Sequence, residues 1–152
     1  MPDFPKGKTL RNGRYSEPGR IYLITSVTQG RTPVFADWRL GRLVVEELRA
    51  AQESGMADSM AWVVMPDHLH WLMALKDSQL TPLMQRVKSR SARSVNSVRG
   101  GHTQLWQRGF YDRALRSEDD LLRMARYVVA NPLRAGLVRR IGDYPLWDAI
   151  WL

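Results

Sequence analysis

Apolar and polar positions along this chain follow two periods, and the switches between them outline the elements. RIYLITSVT, from Arg20 to Thr28, is dense in β-branched and aromatic residues and follows Pro18-Gly19, which predicts a first strand. Between Phe35 and Glu53 the apolar residues Trp38, Leu40, Leu43, Val44, Val45, Leu48 and Ala51 recur at helical spacing. Asp37 is placed to cap that helix and Gly55 to stop it. Met60–Met65 predicts a second strand, Pro66-Asp67 a turn, and His68–Leu75 a third strand. In the third strand, alternation puts His68, His70, Leu72 and Ala74 on one face and Leu69, Trp71, Met73 and Leu75 on the other. Both faces are largely apolar, as on a central strand covered by helices.

Thr81–Arg99 predicts a second helix, with Thr81 as N-cap, Pro82 at the first helical position and Gly100-Gly101 at the end. A short strand is expected around Tyr111–Arg116. Ser117 then caps a third helix whose first turn carries Glu118, Asp119 and Asp120. That helix should stop at Asn131, because Pro132 disfavours α geometry in the residue before it. A short helix and a tail with Trp147 and Trp151 complete the chain. The order β-α-β-β-α-β followed by helix predicts an α+β fold: a ferredoxin-like sandwich, with an antiparallel sheet, two helices on one face and additional C-terminal helices.

The chain has 152 residues, the length of one domain, and no cysteine, which excludes disulfides and thiolate metal sites. No apolar run approaches the roughly 20 residues of a membrane span. The N-terminus has no secretory pattern, so a cytoplasmic location without membrane association is expected. The net charge is +8, and it is uneven. Residues 76–140 carry 14 Lys+Arg against 5 Asp+Glu, a net of +9, whereas residues 1–75 carry 9 against 8. Arginine dominates the basic stretch, and its planar fork matches phosphate oxygens. A nucleic-acid partner fits this charge; an unspecific basic surface is the plainer alternative.

His68 and His70 stand one residue apart, so their imidazoles share a face and can converge on one metal ion. They read equally as core histidines bonded to backbone carbonyls. Tyr127 and Asn131 are four apart and would share a helix face, bringing a phenol and an amide to the same place. The alternative is a packing tyrosine and a helix-ending asparagine. His102, in a glycine-bounded loop, reads as a surface residue with a minor claim to DNA contact.

Three stretches together resemble a known family: WVVMPDHLHWLM, then LWQRGFYDRALR, then YVVANPLRAGLV. The pattern is similar to that of the REP-associated tyrosine transposases, relatives of the single-tyrosine (Y1) HUH transposases, and it covers about residues 15–150. The resemblance implies that His68 and His70 are paired metal ligands, Asn131 the third ligand, and Tyr127 the nucleophile. It implies a divalent cation, Mg²⁺ or Mn²⁺, single-stranded DNA near a hairpin as substrate, and a 5′-phosphotyrosine intermediate. It implies one transposase domain over 1–152: an arm at 1–19, a catalytic core at 20–140 and a tail at 141–152. A monomer is expected, although other transposases of the superfamily share sites across dimers.

On this reading Arg86, Lys88, Arg90 and Arg93 of the second helix track DNA phosphates, as do Arg108, Arg113, Arg116, Arg123 and Arg126. Trp106 and Tyr111 are candidates to stack on unpaired bases, with Tyr111 in a supporting role rather than as nucleophile. Arg14 and Tyr15 in the arm would read bases near the hairpin foot. Two other functions fit parts of the pattern. A non-catalytic single-strand-binding module would use the charge without a nucleophile, and a metal-dependent hydrolase would use the histidines without the charge.

Overall fold

The structure, a computed structural model, describes residues 19–150. Its elements are β1 (Ile21–Val27), α1 (Trp38–Glu53), β2 (Ala57–Met65), β3 (His68–Leu75), α2 (Leu80–Arg99), β4 (Tyr111–Ala114), α3 (Glu118–Val129), α4 (Asn131–Arg134) and β5 (Trp147–Ala149). The sheet order is β4-β1-β3-β2-β5, and all neighbouring pairs run antiparallel. The first four strands with α1 and α2 form the expected split βαββαβ sheet. Among the described residues no helix is long and apolar enough to cross a membrane.

Two cores cover the two faces. On one, Ile24, Leu69, Trp71 and Met73 pack against Leu40, Val44 and Leu48 of α1 and against Leu83, Met84 and Val87 of α2. On the other, Leu23, Ala61, Val63 and Leu72 pack under Met124, Ala125 and Val128 of α3. Alternation along β3 explains the division: odd residues meet α1 and α2, and even residues, the histidines included, turn toward the α3 side. β3 has hydrogen-bonded neighbours on both edges, and all its residues are buried except the half-buried Ala74. Two predicted caps form: Asp37 accepts from the Arg39 amide at 3.1 Å, and Ser117 from the Asp120 amide at 3.2 Å.

Four boundaries differ from expectation. The α2 helix opens on Leu80 rather than after Thr81; Leu80 is fully buried, and the hydroxyl of Thr81 caps nothing. The β2 strand starts at Ala57, three residues early, because a bulge between Ser59 and Ala61 breaks the alternation that would reveal it. The α3 helix ends at Val129, and Asn131 opens the short α4 with Pro132 in its first turn. The tail supplies a fifth strand: Trp147–Ala149 pairs with Ala61–Val63 of β2. The Tyr144 hydroxyl secures it by donating to the Val64 carbonyl at 2.6 Å. Arg14, Tyr15 and Trp151 lie outside the described residues.

Trp71 is fully buried in the middle of the sheet, and its indole N–H donates to Ser59 Oγ at 2.8 Å. Trp71→Ala should cost about 3–5 kcal/mol, as truncation of large core aromatics does. Urea denaturation should show this as a lower midpoint.

Candidate active site

β2 and β3 join through the two residues Pro66 and Asp67, so His68 opens its strand directly after the turn. Register places Val27 and Met65 on either side of His68, and Thr25 and Val63 on either side of His70. Both histidines are fully buried. Their rings stand edge to face, with centroids 4.8 Å apart. His68 Nδ1 lies 2.7 Å from Asp67 Oδ1, and His70 Nδ1 lies 2.9 Å from Thr25 Oγ1. With Nδ1 of each ring engaged, Nε2 is the nitrogen that can ligate. Metal-binding histidines are commonly oriented in this way.

Asp67 is itself held. Arg31 approaches its other oxygen through Nε at 3.2 Å and Nη2 at 3.1 Å. The hydrogen bond from His68, then the charges of His68 and Arg31, keep the Asp67 carboxyl below the usual carboxylate range. Arg31 has φ +53°, the left-handed region, which costs an ordinary residue about 1–2 kcal/mol. The ion pair offsets part of that strain and links the loop after β1 to the first imidazole. Burial, followed by the charges of His68 and Arg134, drives His70 well below its usual range, so it stays neutral, the form that ligates.

Tyr127 comes from α3. Its ring centroid is 5.4 Å from that of His70, and the rings meet at 64°. Two later residues turn back to the end of that helix. Asn131 Nδ2 donates to the Tyr127 carbonyl at 3.2 Å, and Arg134 Nη2 to the same oxygen at 2.8 Å. The guanidinium carbon of Arg134 sits 4.1 Å from the Tyr127 ring centroid. Asn131 is buried, and with its nitrogen committed its carboxamide oxygen is the end available to a cation. Thus the Asn131 amide meets the Tyr127 backbone across the Ala130 turn rather than along one continuous helix.

The candidate donors are two imidazoles and one amide oxygen. Among the described residues no group of three His, Cys, Asp or Glu could hold a metal without it. Mixed nitrogen and oxygen donors suit Mn²⁺ better than Mg²⁺, which favours all-oxygen surroundings.

The other predicted residues separate into two groups. Tyr111 lies across from Thr25 and Arg113 across from Leu23, on the histidine side of the sheet; both are half-buried. Arg86, Arg93, Arg108, Arg116, Arg123 and Arg126 are exposed, as is His102. Two proposed DNA contacts need correction because the fold uses them. Lys88 directs its ammonium to the carbonyls of Gln107 and Gly109, and burial lowers it to about 8. Trp106 is buried, stacks near Phe35 and donates to Ser91 Oγ at 3.0 Å, so its face is closed to a base. Arg90 is exposed as well and forms a surface ion pair with Glu47 at 2.9 Å.

Thr25, Arg31, Asp67 and Arg134 were missed as site residues. Asp67 carried a signal in its place beside His68, but Thr25 and Arg31 reach the site only through sheet pairing and a loop.

A four-stranded ferredoxin-like core, a His-hydrophobic-His strand and a tyrosine on the helix after β4 define the class of the single-tyrosine transposases. The chain belongs to the family described as IS200-like transposases, whose pattern it matches over residues 19–131. It is 27% identical over 143 residues to a Haemophilus influenzae protein provisionally named a REP-associated tyrosine transposase, covering 84% of this chain and 78% of that protein. It is 28% identical over 87 residues to the Escherichia coli K12 REP-associated tyrosine transposase, covering 56% and 50%. Its fold matches a solved structure of a REP-associated tyrosine transposase bound to a REP hairpin, with a TM-score of 0.71, 21% identity, and coverage of 91% and 82%.

Replacing Asp67 with Asn should weaken Mn²⁺ binding by about 10–100-fold, the usual effect of losing a ligand's outer partner. Isothermal titration of the metal checks this. Acidification gives a separate test. Because the folded chain resists protonating His70, the unfolded chain binds more protons below about pH 6.5, and stability falls as pH drops through that region. Denaturation midpoints between pH 7.5 and 5 (on the order of one unit either side of the histidine range) should fall more steeply for the wild type than for His70→Gln.

Proposed function

We propose that this protein is a transposase acting on DNA hairpins of the REP type, cutting and rejoining an adjacent single strand through Tyr127. The observation that carries the reading is the phenol ring of Tyr127 against His70, beside the paired imidazole of His68. The Tyr127 ring and the two imidazoles lie together on the α3 side of the sheet, and Asn131 bonds the Tyr127 carbonyl. The family and the hairpin-bound structural relative support the substrate class.

The Tyr127 oxygen attacks phosphorus as the bond from phosphorus to the 3′ oxygen breaks. The phenol proton passes through solvent to the departing 3′ oxygen, leaving a 5′-phosphotyrosine and a 3′-hydroxyl. Reversal with another 3′-hydroxyl rejoins strands with no external energy source. A divalent cation held by His68, His70 and Asn131 would polarise the scissile phosphate and stabilise charge developing on it. Thr25 and Asp67 keep the two imidazoles facing that point.

The surface supports a nucleic-acid path. A groove of about 790 Å³ runs between α2 and residues 103–110; Arg86 and Arg108 line it, and no acidic residue does. Arg113, Arg116, Arg123 and Arg126 add charge around β4 and α3, and Tyr111 offers a ring for an unpaired base. Tyr127 faces the histidines of its own chain, which favours a monomeric site.

Incubating the protein with Mn²⁺ and a hairpin-bearing single strand should give a covalent protein–DNA band on a denaturing gel, absent in Tyr127→Phe. Strand binding without a band would leave only a binding module, and cleavage surviving Tyr127→Phe would indicate water as nucleophile. If about five phosphates are neutralised, affinity should fall roughly 100-fold between 50 and 200 mM salt, the slope expected for single strands.

A further inference from the structure

We infer that Arg134 is a catalytic residue that receives the scissile phosphate beside Tyr127; the inference rests on the transposase reading above. Arg134 is exposed, yet its guanidinium lies over the Tyr127 ring at 4.1 Å, and that ring meets the His70 ring with centroids 5.4 Å apart. It therefore stands at the junction of the nucleophile and the paired imidazoles. Among the described residues no carboxylate pairs with it.

Capping the helix does not account for this charge. The Tyr127 carbonyl already accepts from Asn131 Nδ2, a neutral donor, and a cation at the end of a helix adds only a modest dipole contribution. Arginine has five N–H donors in a fixed fork, and the Tyr127 carbonyl takes one of its terminal nitrogens. The rest are free to meet an anion. The contact of the guanidinium with the half-buried Tyr127 ring is weak beside a charge-assisted bond to a phosphate, so a phosphate can draw the guanidinium toward itself. The carbonyl bond of Arg134 and its 4.1 Å contact with the ring keep the fork beside the Tyr127 side chain. As the tyrosine–phosphorus bond forms and the bond to the 3′ oxygen breaks, negative charge grows on the non-bridging oxygens. A preplaced cation stabilises that charge more than the ground state.

The test compares wild type with Arg134→Gln, Arg134→Ala and Arg134→Lys. Two quantities are read on a DNA oligonucleotide carrying a REP-type hairpin and single-stranded flanks: the single-turnover rate of adduct formation at saturating DNA with Mn²⁺, and the Kd of the strand. The neutral variants should lose about 100-fold in rate, as when one charge-stabilising donor is removed, with Kd changed by less than about threefold. Lysine should stay within about tenfold of wild type, because it retains the point charge without the fork. Neutral variants within about threefold of wild type overturn the inference, and so does a loss confined to Kd, which would make Arg134 an ordinary phosphate contact. A lysine variant as slow as the neutral ones reduces Arg134 to a geometric cap. Melting curves identify any variant that does not fold. If neither neutral variant folds, a Lys variant slower than about tenfold overturns the inference by itself. A wild-type lane without adduct overturns the transposase reading along with the inference, an outcome separate from all of these.

Discussion

The structure turns on the burial of two imidazoles in the central strand. Removing a polar ring from water is costly unless its hydrogen-bonding atoms find partners. Asp67 and Thr25 meet that need from two directions: one from the turn that begins the strand, the other from the neighbouring strand in register. Each contact engages Nδ1, so the bonds that make the burial tolerable also fix the orientation of each ring. A strand at the middle of the sheet is rigid, and its two residues keep their spacing whatever the surface loops do.

The same economy extends outward. Arg31 adopts a left-handed backbone and reaches Asp67, tying the loop after β1 to the first histidine. On the other side, α3 lays Met124, Ala125 and Val128 on the sheet as its apolar stripe. Tyr127 lies one residue before Val128, at the edge of that stripe, where a ring can be held by packing while its surroundings stay near solvent. The end of α3 is pinned by two side chains, from Asn131 and Arg134, on a single carbonyl. Tyr127, Asn131 and Arg134 are thus linked through that carbonyl.

The basic stretch of the chain proved to have two uses. Lys88 and Trp106 hold the segment 105–110 against α2, and Arg90 holds α2 to α1 through Glu47. Arg86, Arg93 and Arg108 are exposed, and so is Arg90 despite its ion pair. Helical spacing gives both sets the same signature, since residues on a helix flank alternate between neighbouring elements and solvent. Charge counted along the sequence therefore overstates the charge available to a ligand.

Much of this was legible from residues alone. Period-two and period-3.6 patterns located the first three strands and all three long helices, because each has one face that must be buried. The i, i+2 spacing of His68 and His70 fixed their shared face, a local consequence of the pleat. Tertiary structure decided what local rules do not encode. The bulge at Ser59 hid the start of β2, and β5 is three residues whose partner strand lies over 80 positions earlier. Thr25 became the partner of His70 only when β1 and β3 paired, 45 residues apart. Arg134 came to Tyr127 only because the chain turned at Ala130 and restarted as α4. Sequence set which residues point together along one element; the meeting of separate elements required the folded chain, because distant side chains share no period.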